Sequence, residues 1–276
     1  MIITFTQHHI TYQADLSKPI DISISLIFNS LNAPNAWYCP MPEATPQRFG
    51  TIDIAVAKGA AVNSYGVKIY PHGNGTHTES VGHILMDNGQ WIMDNAGVRE
   101  IETGWISVND ALKNYHVLAQ LLSVFPLKKQ DGDRVITKEQ LEEAFDNFDN
   151  SPFDALIVRT MPNDDLKKTQ QWSGSNPPYF EAEALAYLAE KNITHLLTDL
   201  PSVDKDDDGG KVAAHRAFWQ VFDKNAEGVR FHATITEMIY APNTVKDGLY
   251  LLNLQIPSFE LDAAPSKPVL YKITDL

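Results

Sequence analysis

The chain has 276 residues, 43% of them hydrophobic and 10% aromatic, with a single cysteine, Cys39. A chain of this length buries about three quarters of its unfolded surface and needs no disulfide, which one thiol could not form internally in any case. Its 22 Lys+Arg against 35 Asp+Glu give a formal net charge of −13, which repels nucleic acid and anionic membranes and suits a small neutral or cationic substrate.

Taken in order, the first predicted elements are strands. Ile22 to Phe28 and Thr51 to Ala57 alternate or run apolar as strands do. Between them, Pro34, Pro40, Pro42 and Pro46 exclude regular structure and stiffen a loop that carries Trp37 and Tyr38. Thr137 and Gln140 form a capping-box pattern ahead of Leu141, Ala144, Phe145 and Phe148 at helical spacing. Pro177 and Pro178 precede a second amphipathic helix with Phe180, Ala184, Leu185 and Leu188. Strand-like runs at 154–160 and 194–200 flank that helix, so the three predict a βαβ unit with a buried parallel pair. Strands follow again at 234–241 and 248–256. The acidic run from Asp204 to Asp208 imitates a calcium loop, but position twelve is His215 and not Glu, so a solvated loop is expected. No linker divides the chain, and one domain over residues 1–276 is expected.

Chemistry concentrates in His72-Gly-Asn-Gly-Thr-His77-Thr-Glu79, with His83 close by. In an extended segment His77 and Glu79 project from one face, so an imidazole nitrogen and a carboxylate oxygen can meet one cation. Gly73 and Gly75 let the backbone turn to bring His72 to the same point. Imidazole with carboxylate suits Zn²⁺, Mn²⁺ or Fe²⁺. From local sequence alone, a metal site and a polar glycine-rich turn fit the segment equally well. Cys39 has nothing nearby to lower its pKa and is not expected to be a nucleophile.

Gly75-Thr-His77-Thr-Glu79, with one histidine five residues before His77 and another six after, resembles the H-x-G-T-H-x-D-x-P-x-H signature of the cyclase family of metal-dependent hydrolases, which includes bacterial kynurenine formamidases and isatin hydrolases. The run from Thr198 to Asp204 is similar to a second family segment, His215-Arg216 to a third, and Ile235-Thr-Glu237 to a fourth. The resemblance implies metal ligands at His72, His77, Glu79, His215 and Glu237, one or two divalent ions (Zn or Mn), and a catalytic proton shuttle at His83. It also implies that Trp37 and Tyr38 wall the substrate pocket. Its architecture is the swivelling β/β/α arrangement, an α/β fold with a mixed sheet and flanking helices, in a homodimer or higher homo-oligomer. Its activity is hydrolysis of a small carbon–nitrogen amide bond, arylformamidase-like, with opening of a cyclic amide or lactone as the alternative and a non-catalytic metal-binding protein as the rival.

The chain departs from the signature in four places. Glu79 replaces Asp, His72 is one residue further from His77, Val81 stands for Pro, and Lys224 to Phe231 reads as an insertion between His215 and Glu237. The start, Met1-Ile-Ile-Thr-Phe-Thr, lacks a secretory pattern, and no apolar run reaches the roughly 20 residues of a membrane span, so a cytoplasmic protein without a membrane partner is expected.

Overall fold

The structure is a computed structural model that describes residues 1–85, 92–94, 97–99, 106–148, 152–222 and 228–275. Residues 224–227 of the expected insertion lie outside these. Eleven strands form one mixed sheet. In chain order they are β1 (Ile2–Gln7), β2 (Ile10–Asp15), β3 (Ile20–Asp21), β4 (His77–Glu79), β5 (His116–Val124), β6 (Ala155–Thr160), β7 (His195–Thr198), β8 (Thr234–Glu237), β9 (Gly248–Asn253), β10 (Ala263–Pro265) and β11 (Val269–Asp275). Their spatial order is β1-β2-β11-β9-β5-β6-β7-β8-β4-β10, with β3 pairing β11. The four central strands, β5 to β8, run parallel, and antiparallel strands extend the sheet on either side.

The central strands are buried on both faces, as parallel strands must be. Leu156 and Val158 of β6 pack into one apolar cluster with Leu196 and Ile235; Ala155 and Ile157 pack into the opposite one with Leu197 and Leu252. Three helices, α1 (Lys138–Asp146), α2 (Ala182–Glu190) and α3 (Ala213–Trp219), contribute Leu141, Leu185, Leu188 and Trp219 to the first cluster. The expected capping box is present, with Thr137 Oγ1 accepting from Gln140 N and Gln140 Oε1 from Thr137 N. Strands β6 and β7, with α2 between them, pair in parallel from Ala155↔His195 onward, as the expected βαβ unit requires. Among the described residues no helix is long and apolar enough to cross a membrane.

Four expectations differ. The proline-rich loop holds regular structure after all, because Glu43–Pro46 pairs antiparallel with Tyr65–Lys68 and Pro46 ends that strand. The run at 22–28 is not a ladder strand: Ile22 N donates to Pro268 O and Ile24 N to Thr76 Oγ1, single bonds that stitch an irregular, partly buried segment to two neighbours. The run at 51–57 forms only a two-residue strand, Ile52–Asp53, paired with Arg48–Phe49 across a tight turn, and then a 3₁₀ turn at Val56–Lys58. Phe180 precedes α2, because its amide donates to Val203 O and it pairs with Ile136 in extended conformation.

Candidate metal centre

The centre is built on β4, the short strand between β8 and β10. Alternation puts His77 and Glu79 on one face and Thr78 on the other, where its hydroxyl bonds to that of Thr236 at 2.8 Å. Glu237 is the register partner of His77, so it joins the same face, and its Oε2 lies 3.4 Å from His77 Nε2. His77, Glu79 and Glu237 are all essentially without solvent exposure.

The chain before β4 makes two turns. Pro71–Gly73 is a single 3₁₀ turn that presents His72. A side chain at Gly73 would put its Cβ 2.6 Å from Cys39 Sγ and 2.9 Å from Ala36 O, so the proline-rich loop seats directly on this glycine. Gly75 has φ of 138°, a conformation that disfavours other residues, and its carbonyl lies 2.9 Å from His77 Nδ1. That bond fixes a proton on Nδ1 and leaves Nε2 as a free donor atom facing the acids. After β4, Ser80 caps the 3₁₀ turn Val81–His83 and brings His83 to the rim.

His215 arrives from the other side on α3. Asp204 accepts from the amides of Ala214 and His215 and from His215 Nδ1, the last at 2.5 Å. One carboxylate therefore both starts the helix and orients the ring. His215 Nε2 then lies 2.9 Å from Glu79 Oε1 and 3.7 Å from Glu237 Oε1. The aspartate expected in a solvated acidic loop is thus buried and structural, while Asp208 caps the amides of Gly210, Lys211 and Val212. His72 Nδ1 lies 3.1 Å from Glu79 Oε2, and His83 Nε2 3.9 Å from the same oxygen.

The structure thus gathers His72, His77, Glu79, His83, His215 and Glu237 in one connected set of contacts, with Glu79 shared by His72, His83 and His215 and Glu237 by His77 and His215. Trp37 is half-buried against Ala36, Trp172 and Met238, the residue that follows Glu237. The Tyr38 ring is 81% exposed and turns outward, its amide held by Ser173 Oγ. Burial raises the Cys39 pKa, which keeps the thiol protonated and inert.

The electrostatics follow from packing acids among imidazoles. Burial alone would raise the Glu79 pKa, but the imidazoles of His83 and His215 beside it hold the carboxyl well below its ordinary range. Burial likewise pulls His72 and His215 down, and is outweighed. The carboxylates of Asp262 and Glu79 push His72 up to about 10, and those of Glu79 and Asp204 push His215 well above its usual value.

Within the cluster, His77 Nε2 and Glu79 Oε2 are among the buried side-chain atoms left without a hydrogen bond of normal geometry, although His72 Nδ1 lies 3.1 Å from Glu79 Oε2. An unsatisfied buried polar atom costs about 1–3 kcal/mol, so a pair facing one point is a site with a missing partner. The surrounding donors are imidazole nitrogens and carboxylate oxygens, the set that suits a divalent transition metal. Donor atoms of His72, His77 and Glu79 lie within 4.8 Å of one another, as do those of Glu79, His83 and His215. These clusters fit a divalent metal ion.

Two residues at the centre escaped the sequence reading. Asp204 closes the Thr198–Asp204 segment, so its position was visible but its contact with His215 was not. Asp262, whose Oδ2 lies 2.7 Å from His72 Nε2 and 3.3 Å from His83 Nδ1, gave no local signal.

No curated protein matches the chain. Solved structures do match it in fold. A predicted metal-dependent hydrolase from Bacillus stearothermophilus is 16% identical, with a TM-score of 0.57 over 92% of this chain and 98% of that one. Isatin hydrolase A from Labrenzia aggregata, bound to benzyl benzoate, is 12% identical, with a TM-score of 0.61 over 92% and 93%. Isatin hydrolase A from Ralstonia solanacearum is 13% identical, with a TM-score of 0.59 over 92% and 91%. At these identities the likeness establishes the mixed α/β fold. The family follows from sequence: the Cyclase family model matches residues 14–205, a span that carries the β4 segment and the βαβ unit beneath the site. The chain belongs to the cyclase family.

Proposed function

We propose that the protein is a metal-dependent hydrolase of a small carbon–nitrogen amide bond, arylformamidase-like in substrate. The observation that carries this reading is the convergence of His77 Nε2 and Glu79 Oε2, fully buried and without a hydrogen bond of normal geometry, with His83 at the rim beside them. His72, His77 and Glu79 would hold one divalent cation, and His215 and Glu237 complete the set or serve a second ion. Such an ion, when bound, lowers the pKa of water from about 15.7 toward 7 and polarises a carbonyl.

The chain's own groups supply the rest. Gly75 O fixes the His77 tautomer and Asp204 orients the His215 ring through Nδ1, so that both rings present Nε2 inward. His83, with 31% of its side chain exposed against 25% for His72, is the most accessible of the four histidine rings at the centre. Its Nε2 would take a proton from the attacking water and return it to the leaving nitrogen as the C–N bond breaks and the C–O bond forms.

A second reading, opening of a cyclic amide, is favoured by the fold's likeness to two isatin hydrolases, since isatin is itself a cyclic aryl amide. The test is metal analysis of the purified protein, then turnover of formamides, cyclic amides and lactones with zinc or manganese supplied. Hydrolysis that chelation abolishes and metal restores is expected. Tight metal binding with no turnover of any of the three classes would make this a non-catalytic metal-binding protein.

A further inference from the structure

Asp262 immediately precedes β10, whose Ala263 is the register partner of Glu79 on β4. Its backbone carbonyl accepts from Ser80 N at 2.9 Å and from Ser80 Oγ at 3.2 Å. The ladder therefore pins Asp262 beside the stretch of chain that leads from Glu79 to His83. A single carboxylate oxygen, Oδ2, then meets His83 Nδ1 at 3.3 Å and His72 Nε2 at 2.7 Å. The two rings are stacked with centroids 4.2 Å apart, and the far edge of each, His83 Nε2 and His72 Nδ1, faces Glu79 Oε2.

We infer that Asp262 is a positioning residue for His83: it accepts the Nδ1 proton and so holds the ring with Nε2 free and turned toward Glu79. The inference rests on the reading of His83 as the proton carrier. A neutral imidazole can keep its proton on either nitrogen, and an acceptor at one of them selects the tautomer. A carboxylate at Nδ1 is the arrangement that makes Nε2 the working base in histidine-dependent hydrolases. Asp262 does this from the residue just before β10, 179 residues beyond His83 in sequence.

The competing role is that of a metal ligand, since donor atoms of His72, His83 and Asp262 also lie within 4.8 Å of one another. Asp262→Ala, Asp262→Asn, His83→Ala and the double variant Asp262→Ala/His83→Ala, each loaded with zinc, separate the roles. Zinc stoichiometry should stay at the wild-type value. The side-chain ¹⁵N resonances of His83 should show a protonated Nδ1 and an unprotonated Nε2 in wild type, and converge in Asp262→Ala. Turnover should fall about 10- to 100-fold in kcat with little change in KM, the usual effect of losing an orienting partner. Asp262→Asn should not restore the rate, because its amide can donate to Nδ1 and favour the opposite tautomer, and Asp262→Ala should add nothing to His83→Ala. Zinc loss in both Asp262 variants, unchanged His83 resonances, or an equal fall in the His83→Ala background would overturn the proposal. A wild-type protein that hydrolyses nothing, or a fully active His83→Ala, would instead sink the functional reading, and the ¹⁵N signature would still decide the contact.

Discussion

His77 and Glu237 face each other across the β4–β8 ladder, and the same register that pairs their backbones brings His77 Nε2 to 3.4 Å from Glu237 Oε2. Neither element alone would make this contact. The antiparallel pairing of a three-residue strand with the last parallel strand of the sheet creates it.

His77→Ala should therefore lose metal and activity together while the β4–β8 ladder persists. Glu237→Gln keeps the acceptor for Val203 N, so it should remove charge from the centre without disturbing that bond. Metal content by elemental analysis, with circular dichroism as the fold control, checks both. Full metal occupancy in His77→Ala would falsify its assignment as a ligand.

His83→Ala separates proton transfer from metal binding. Its ring is the most accessible of the four at the centre whose roles the family resemblance supplied, and the expected fall in turnover is about 10²- to 10⁴-fold with near-normal metal content. Paired turnover and metal measurements decide it. If the variant comes out of purification metal-free, His83 is a ligand.

The centre was legible in the sequence only where its geometry is local. His77 and Glu79 share a face because a single residue, Thr78, separates them on a strand, and His72 and His83 lie one turn away on either side. His215 and Glu237 entered through family resemblance, because their approach depends on α3 and β8 docking against the same strand. Asp262 depends on the register of β10, a three-residue strand that ends in Pro265, and no periodicity announces so short an element. The alternation at 22–28 misled for the related reason that alternation records burial and not ladder partners. That segment is buried in part, but its amides bond to Pro268 and Thr76 one at a time.

Trp37 tests the aromatic loop. Trp37 and Tyr38 have φ of 58° and 50°, an uncommon conformation for aromatic residues, in a turn closed by Cys39 N donating to Ala36 O. Strain of this kind is retained where the surroundings impose it, and it clusters at functional sites. Trp37 packs with Trp172 and Met238 next to Glu237, whereas Tyr38 points to solvent. Trp37→Ala should weaken aryl substrates more than aliphatic ones, by about two- to tenfold for the 0.5–1.5 kcal/mol of ring contact alone. The measurement is kcat/KM on one substrate of each kind. An equal loss on both would indicate loop damage, and no loss would place Trp37 outside the pocket.

His195 predicts how stability depends on pH, away from the metal centre. It begins β7, is buried, and its Nδ1 lies 2.9 Å from Thr234 Oγ1. Burial, reinforced by the positive charge of Arg230, pushes its pKa down from 6.5 to about 4. The folded protein therefore keeps the ring neutral to about pH 4, while the unfolded chain protonates it near pH 6.5. Between those values the unfolded state binds more protons, so stability falls as pH falls across that window. A shift of this size corresponds to roughly 3 kcal/mol by pH 4. Buried carboxylates such as Asp204, whose pKa is lowered by its bonds to His215 despite burial, add acid sensitivity of the same sign, so the wild-type curve alone does not isolate His195. The difference between wild type and His195→Gln does. Urea midpoints from pH 7 to pH 4.5 should fall less steeply in the variant, whatever its absolute stability at pH 7. Parallel curves would mean that the ring is protonated in the folded protein or does not titrate in this window.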